Sequence, residues 1–406
     1  MEVGAFFSSL KNCFKSITRI GTDDPRRVLH SLKVATALTL LSIIYWGRAV
    51  YGITRLVMSV MTVVGVFEFS VGGTLCKSVN RICATLIGGA LGVAEQHLAT
   101  ALVEIEETVL LLILVFILGA ITTFFRFFPK IKAIYDSGVV IFMTTFLLVA
   151  FSKHGVEKIF ERLLTILIGI ITCTLISIFI WPVWAGEDLH ILLASNIETL
   201  ANCLIGFEVN YFDNQIRDKS VLQGYETVLK SEATEESLTN LARWEPAHGF
   251  FRPRHPWNQY KKIGAFIKKC ASKIESLHDY LNPEIPISSE FKFKIKKPCS
   301  RIITELYKAL KVISSSTEIM VHPSAAKRHI EKAKAAAEEL NFFLETVSLE
   351  EAKFLSIIPV GTVAFILEEI TQLVEKIYQS IAELSELAEF KNVGEVTVSP
   401  EKPHVS

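Results

Sequence analysis

The sequence predicts an all-α protein: a six-helix membrane domain followed by a helical cytosolic domain. Three observations carry that prediction. Half of the 406 residues are hydrophobic and 21% are charged, with a mean hydropathy of +0.39, high for a water-soluble globular chain. Long runs without Asp, Glu, Lys or Arg crowd residues 1–185, and a bilayer-spanning helix needs about 20 mostly apolar residues. The formal net charge of zero divides unevenly. Residues 1–185 hold 16 Lys+Arg and 11 Asp+Glu, a balance of +5; residues 186–406 hold 26 and 31, a balance of −5. An apolar, cationic part and an amphipathic, acidic part meet at Ala185.

The elements follow in order. Residues 1–27 are expected to be a cytosolic segment without a long apolar core, so no cleavable signal peptide is predicted. The membrane domain then occupies 28–185, with spans at 32–49, 56–76, 79–100, 108–126, 134–152 and 160–184. The last is the clearest, because Leu163 to Gly186 is uncharged. The first three are weaker, carrying Lys33, Glu68, and Arg81 with Glu95. Within the third, Gly88 and Gly92 form a G-x-x-x-G spacing that allows close helix approach in lipid; ordinary glycine usage in membrane helices explains it equally. With the N terminus in the cytosol, Lys15, Arg19, Arg26, Arg27, Lys33, Lys77, Arg81, Arg126, Lys130 and Lys132 fall inside, and Arg48, Arg55, Lys153, Lys158 and Arg162 fall outside. The positive-inside rule therefore predicts both termini in the cytosol. The loop carrying Glu104, Glu106 and Glu107 suits the outer face.

Residues 186–391 read as the cytosolic domain and 392–406 as a polar tail. Helices are expected at Glu187–Asn210, Glu232–Arg243, Lys261–Leu281, Ser300–Val321, Ala325–Leu344 and Val363–Glu389. Gly249–Trp257, rich in Pro and aromatics, reads as a rigid loop. Pro283, Pro286 and Pro298 are expected to bracket a Lys-rich loop (Lys292, Lys294, Lys296, Lys297). The last helix repeats apolar residues at 3–4 spacing from Ile366 to Leu387, which fits an intramolecular core face or a dimer contact.

Ionisable residues inside spans carry the functional signal, since burying them in lipid is costly unless they meet a partner or a water-filled path. Lys77 and Arg81 share a helix face at i, i+4. Lys33 lies one turn into the first span, Arg162 opens the sixth, and Arg126 begins a basic cluster after the fourth. An inward set of Arg and Lys is what an anion path requires; positive-inside anchoring explains Arg126, Lys130 and Lys132 as well. Glu68 reads as a structural ion pair with one of these cations or, more sharply, as a proton-coupling carboxylate. The zero net charge excludes a basic nucleic-acid binder and the composition excludes a disordered chain. No C-x-x-C, H-E-x-x-H or G-x-S-x-G stands in the sequence, and His248 with His255 lacks a third ligand nearby. No enzyme, metal or cofactor is expected.

Several motifs recur in the order of a known family. These are Asp24-Pro25-Arg26-Arg27 before Lys33, Phe67-Glu68-Phe69 before Lys77 and Arg81, and Arg126-Phe127-Phe128-Pro129 with Tyr135-Asp136. Trp181-Pro182-Val183-Trp184 and Arg243-Trp244-Glu245-Pro246 follow. Over about residues 20–270 the chain resembles the plant aluminium-activated malate transporters. That resemblance implies six membrane helices, cytosolic termini and a homodimer in lipid, passing malate and other anions passively through an electropositive pore. It points to Arg81 and Arg162 as the leading pore cations, then Lys77, Arg126 and Lys33, with Trp244, Glu245 and Pro246 in a structural role. It also favours the plasma membrane over the vacuolar membrane. The sequence departs from the family where the outer loop Gly47–Arg55 carries no acid and where Val57-Met58-Ser59 replaces a usual Trp. Glu157 and Glu161 remain as outer acidic sensor candidates, but Lys153 and Lys158 beside them argue against aluminium gating. A proton-coupled organic or aromatic acid exporter, built to a similar plan in bacteria, and a non-conducting modulatory subunit are the alternatives.

Overall fold

The computed structural model describes residues 15, 19, 21–22, 24–46, 51–101, 107–152, 155–213, 224–252, 255–280, 289–350 and 354–391. Regular structure among them is helical, with only two isolated β-bridges. The fold is all-α. Contacts divide the chain into two compact units, Met1–Ala185 and Gly186–Ser406.

The first unit holds α1 (Pro25–Tyr45), α2 (Tyr51–Val66), α3 (Val71–Ala101), α4 (Glu107–Phe125), α5 (Pro129–Ala150) and α6 (Gly155–Phe179). Asp24 caps α1 by accepting the Arg26 N–H at 3.1 Å, with Pro25 in the first turn where its missing N–H costs nothing. The sequence reading carries the second span to residue 76; the structure breaks it at Phe67–Ser70. Polar side chains make the break. Ser70 accepts the Gly73 N–H at 3.1 Å, capping α3, and the Thr74 hydroxyl accepts the Glu68 N–H at 3.1 Å. The Val71 N–H is taken by the Val183 carbonyl at 3.0 Å. Glu68 thus sits between helices rather than within one. Lys77, Arg81 and Glu95 all ride on the 31-residue α3.

Small residues set the close contacts of this unit. A Cβ at Gly88 would lie 2.5 Å from the Phe142 carbonyl oxygen, and one at Gly92 would lie 2.9 Å from Val149 side-chain atoms. The G-x-x-x-G face is therefore the seam between α3 and α5. Gly169 seats α6 against Thr62 and the Ser59 carbonyl of α2. By contrast α4 turns large side chains outward, with Phe116 78% and Phe124 63% exposed, a surface suited to lipid.

Among the described residues, three helices are long and apolar enough to cross a membrane: Pro25–Tyr45, Val156–Phe179 and Ala185–Phe212. Ile53–Val66, Leu111–Phe125 and Ile134–Ala150 are apolar but shorter. Ala185–Phe212 belongs to the second unit, where its apolar face is core: Leu189, Leu193, Ile197, Leu200 and Leu204 are buried.

That unit comprises α7 (Ala185–Asp213), α8 (Gly224–Lys230), α9 (Glu232–Ala242), α10 (Trp257–Asp279), α11 (Ser289–Glu318), α12 (Ala326–Glu350) and α13 (Phe354–Leu387). Two sequence expectations change. The Lys-rich stretch is helix, not loop: α11 starts at Ser289 and carries Pro298 inside it. Likewise α13 begins before Pro359. Proline removes one N–H and crowds the preceding turn, but Ile295, Cys299, Ile302 and Ile303 on α11 are fully buried. Packing of that stripe holds the helix through the proline. Ile366, Ile370, Ile377, Ile381 and Leu384 are buried in the same core, so the 3–4 repeat of α13 serves intramolecular packing.

Candidate functional site

Two guanidiniums define the site in the first unit. Arg81 on α3 is 9% exposed and Arg162 on α6 is 8% exposed. Neither carries an ion pair among the described residues, and the Nε of each is buried without a hydrogen-bond partner. Arg162 directs Nη1 at the Met58 sulfur, 3.8 Å away. Arg81 fits because α2 offers a glycine opposite it: a Cβ at Gly65 would lie 3.1 Å from Nη1. A buried charge without a counter-ion costs several kcal/mol. The pair is therefore the candidate anion contact, with no carboxylate in ion-pair distance of either arginine among the described residues.

The other sequence candidates are engaged. Lys77 pairs with Glu68, both about one-third exposed, so the i, i+4 neighbours Lys77 and Arg81 occupy different environments. Lys33 is buried and donates from Nζ to the Trp181 carbonyl at 2.6 Å, fixing α1 to the end of α6. Arg126 is held two-pronged by Asp136, at 2.6 and 3.0 Å. Glu161 accepts from Arg55 at 3.0 Å and Lys158 at 3.1 Å, while Glu157 is exposed in the first turn of α6. Sequence reasoning missed Gly65 and the Arg55 clasp. The signal for Arg55 was its place in an outer loop without acids, which left it needing a partner elsewhere. Arg48, Glu104, Glu106, Lys153, His154, Pro283, Pro286 and the 392–406 tail lie outside the described residues.

In the second unit the Trp-Glu-Pro turn anchors a helix start. Glu245 accepts the Gly186 N–H at 3.0 Å, neutralising an orphan donor at the α7 N-terminus and complementing its dipole. A Cβ at Gly186 would lie 2.6 Å from the Trp257 ring, so glycine is required there. Trp244 is exposed, and the Pro246 carbonyl takes a bond from His248 Nδ1 at 2.8 Å.

Beside this turn runs a buried chain of hydrogen bonds. The Thr317 carbonyl meets His190 Nε2 at 2.5 Å, His190 Nδ1 meets the Tyr260 hydroxyl at 2.9 Å, and that hydroxyl meets His255 Nε2 at 3.1 Å. A carbonyl only accepts, so His190 carries its proton on Nε2. Tyr260 must then donate to His190 Nδ1 and accept from His255. Burial, with His190 and His248 close by, pushes the His255 imidazole down to about 4. The unfolded chain protonates this residue near 6.5. Between those values the unfolded state binds the extra proton, so stability is full above about 6.5 and declines as pH falls toward 4. The loss amounts to about 3 kcal/mol for this group. His255→Gln is expected to flatten that slope in thermal unfolding followed from pH 7 to 4; an unchanged slope would show that the relay does not set it.

A helical membrane transport protein is the class these features define: an apolar unit with uncompensated buried cations, joined in one chain to a separately packed helical unit. Within that class the family is specific. The chain belongs to the aluminium-activated malate transporter family, whose model matches residues 18–350. It is 42% identical to aluminum-activated malate transporter 2 of Arabidopsis thaliana over 389 residues, covering 92% of this chain and 77% of that protein. It is 41% identical to aluminum-activated malate transporter 1 of the same plant, covering 95% of this chain and 81% of that one. Aluminum-activated malate transporter 1 of Triticum aestivum is 38% identical, covering 91% and 84%.

Proposed function

We propose that the chain is an anion channel of a plant membrane, passing malate and other organic or inorganic anions passively along an electropositive path in which Arg81 and Arg162 meet the ion. The observation that carries the reading is the pair of buried guanidiniums without counter-charges among the described residues. The names of the relatives supply malate as the anion. Both termini lie in the cytosol, six helices cross the bilayer, and two copies associate in lipid, doubling each cation around a dicarboxylate. The plasma membrane is the favoured location. Lys77 and Arg126 line the cytosolic approach, with their carboxylate partners tempering their charge, and Lys33 supports the path from outside it.

In voltage-clamped cells expressing the full chain, the reversal potential is expected to follow the malate gradient and to ignore a pH gradient. Currents locked to the pH gradient and lost in Glu68→Gln would instead identify an exporter. The ion pair that already engages Glu68 with Lys77 favours the channel. Absence of current alone, with altered current beside a co-expressed relative, would identify a modulatory subunit.

A further inference from the structure

The seam between α3 and α5 is pinned at both ends by a side-chain amide. At one end the Gln96 Nε2 donates to the Val149 carbonyl at 2.8 Å and the Ser152 carbonyl at 2.5 Å. At the other the Asn80 Nδ2 donates to the Ile134 carbonyl at 3.2 Å. The glycine contacts at Gly88 and Gly92 lie between them. Asn80 reaches α5 because Gly138, buried one turn beyond Ile134, has no side chain. A Cβ there would lie 2.5 Å from the Asn80 Oδ1 and 2.9 Å from its Cγ and Nδ2. The amide thus lies across one turn of α5, in a notch that the glycine leaves open. Asn and Gln side chains hydrogen-bond across helices in lipid, and a bond to a fixed backbone carbonyl sets both the rotation and the height of α3 at that level. The next residue on α3 is Arg81. Successive helical residues turn by about 100°. With Asn80 lodged on α5, its neighbour is carried round the helix toward α2, where Gly65 receives the guanidinium.

We infer that Asn80 is a positioning residue for Arg81, and that the 134–138 turn of α5 is the socket that holds it. The inference rests on the anion-channel reading, because Asn80 acts through a cation of the path. Arg81 carries no ion pair among the described residues to fix its direction, so that direction comes from the helix that bears it. Asp136, which holds Arg126 of α4, sits within the same turn, so the socket is braced from α4 as well. Gln96 makes the same kind of bond about 22 Å from Arg81 along the helix axis, at 1.5 Å per residue, too far to govern the guanidinium. Gln96 anchors the seam; Asn80 anchors it and aims the cation.

The test reads the malate-to-chloride permeability ratio from reversal potentials of voltage-clamped cells expressing the full chain. Current per surface molecule and the thermal midpoint in detergent are measured beside it. Asn80→Ala is expected to reach the surface and to shift the ratio by about threefold, the low end of coupling between residues in one contact network. Gly138→Ala, whose methyl must evict the amide, is expected to shift it in the same direction and to lower the midpoint further. The double variant Asn80→Ala/Gly138→Ala removes the collision, so its midpoint is expected to return toward that of Asn80→Ala while its ratio stays shifted. Gln96→Ala is the control for anchoring alone, with a lower midpoint and the original ratio. Arg81→Gln, run alongside, separates the two ideas. If it keeps full current and the original ratio, Arg81 leaves the path and the reading beneath the inference falls. If it loses current or shifts the ratio while Asn80→Ala keeps both, Arg81 stays in the path and the positioning role is refuted. A ratio shifted as much by Gln96→Ala as by Asn80→Ala makes Asn80 a helix pin alone and overturns the inference too. Should Gly138→Ala fail to reach the surface, Asn80→Ala against Gln96→Ala decides.

Discussion

Anion current is expected to fall about tenfold or more when Arg162 becomes glutamine, and by a similar factor when Arg81 does. A unit charge about 4 Å from an anion contributes about 4 kcal/mol at the effective dielectric of a protein near its surface. Losing even a third of that interaction raises a conduction barrier enough for a tenfold loss, since about 1.4 kcal/mol is a factor of ten. The same substitutions carry a second, opposite signature. Both guanidiniums are buried without an ion pair among the described residues, so their charge opposes folding of the empty protein. Arg81→Gln and Arg162→Gln are therefore expected to raise the thermal midpoint of the detergent-solubilised protein while lowering its current. A structural anchor would behave otherwise, losing stability and surface abundance together. Recording current per surface molecule alongside thermal unfolding separates the cases; full current in both variants would remove these residues from the path. Gly65→Ala gives an independent check, because its new methyl lies 3.1 Å from Arg81 Nη1 and must displace the guanidinium without changing its charge.

These arginines differ from the neighbouring cations in their partners. Lys77, Arg126 and Arg55 each have a carboxylate within reach, and Lys33 has a carbonyl. Such pairs hold helices in register at modest net energy. Only a cation left unsatisfied keeps its full attraction for a passing ion, and release requires that this attraction stay moderate.

Much of this was legible in the sequence, for identifiable reasons. Apolar runs and the 3–4 repeat of α13 report local burial, which is written in consecutive residues. Arg81 and Arg162 stood out because charge in an apolar window is anomalous. The break at Phe67–Ser70 was not legible. Mostly apolar residues flank it on both sides, and one N–H at the start of α3, that of Val71, is taken by Val183, more than a hundred positions away. The partner of Lys33 was hidden in the same way, 148 residues distant. Pro298 misled in the other direction. Its local preference ends helices, and the buried stripe from Ile295 to Ile303 overrides it. Spacing placed Lys77 and Arg81 on one face, yet Glu68, lodged in that unforeseen break, claims only the first.

Gly88→Ala is expected to cost about 3 kcal/mol, toward the upper range for an overpacked interior, and to abolish most of the folded protein at the membrane. The new methyl would lie 2.5 Å from the Phe142 carbonyl oxygen, which is backbone of a continuous helix. No rotamer change can relieve it, so α3 and α5 must separate. Gly92→Ala meets Val149 side-chain atoms at 2.9 Å, where a side chain can give way, and a smaller loss is expected. Gly119→Ala is the control: its nearest neighbour is Met143 Cε at 4.0 Å, an ordinary contact, and removing glycine from a helix interior adds a few tenths of a kcal/mol or more of stability. The series is read by monodisperse yield and thermal midpoint in detergent, and the expected order is Gly119→Ala at or above the unaltered protein, then Gly92→Ala, then Gly88→Ala. Equal midpoints for all three would mean that the seam is not closely packed. Arg81 lies two turns before Gly88 on the same helix, so a seam that opens also moves the guanidinium. Gly88→Ala molecules that do reach the membrane should therefore carry reduced current per molecule, and the packing of α3 on α5 becomes part of how the cation is aimed.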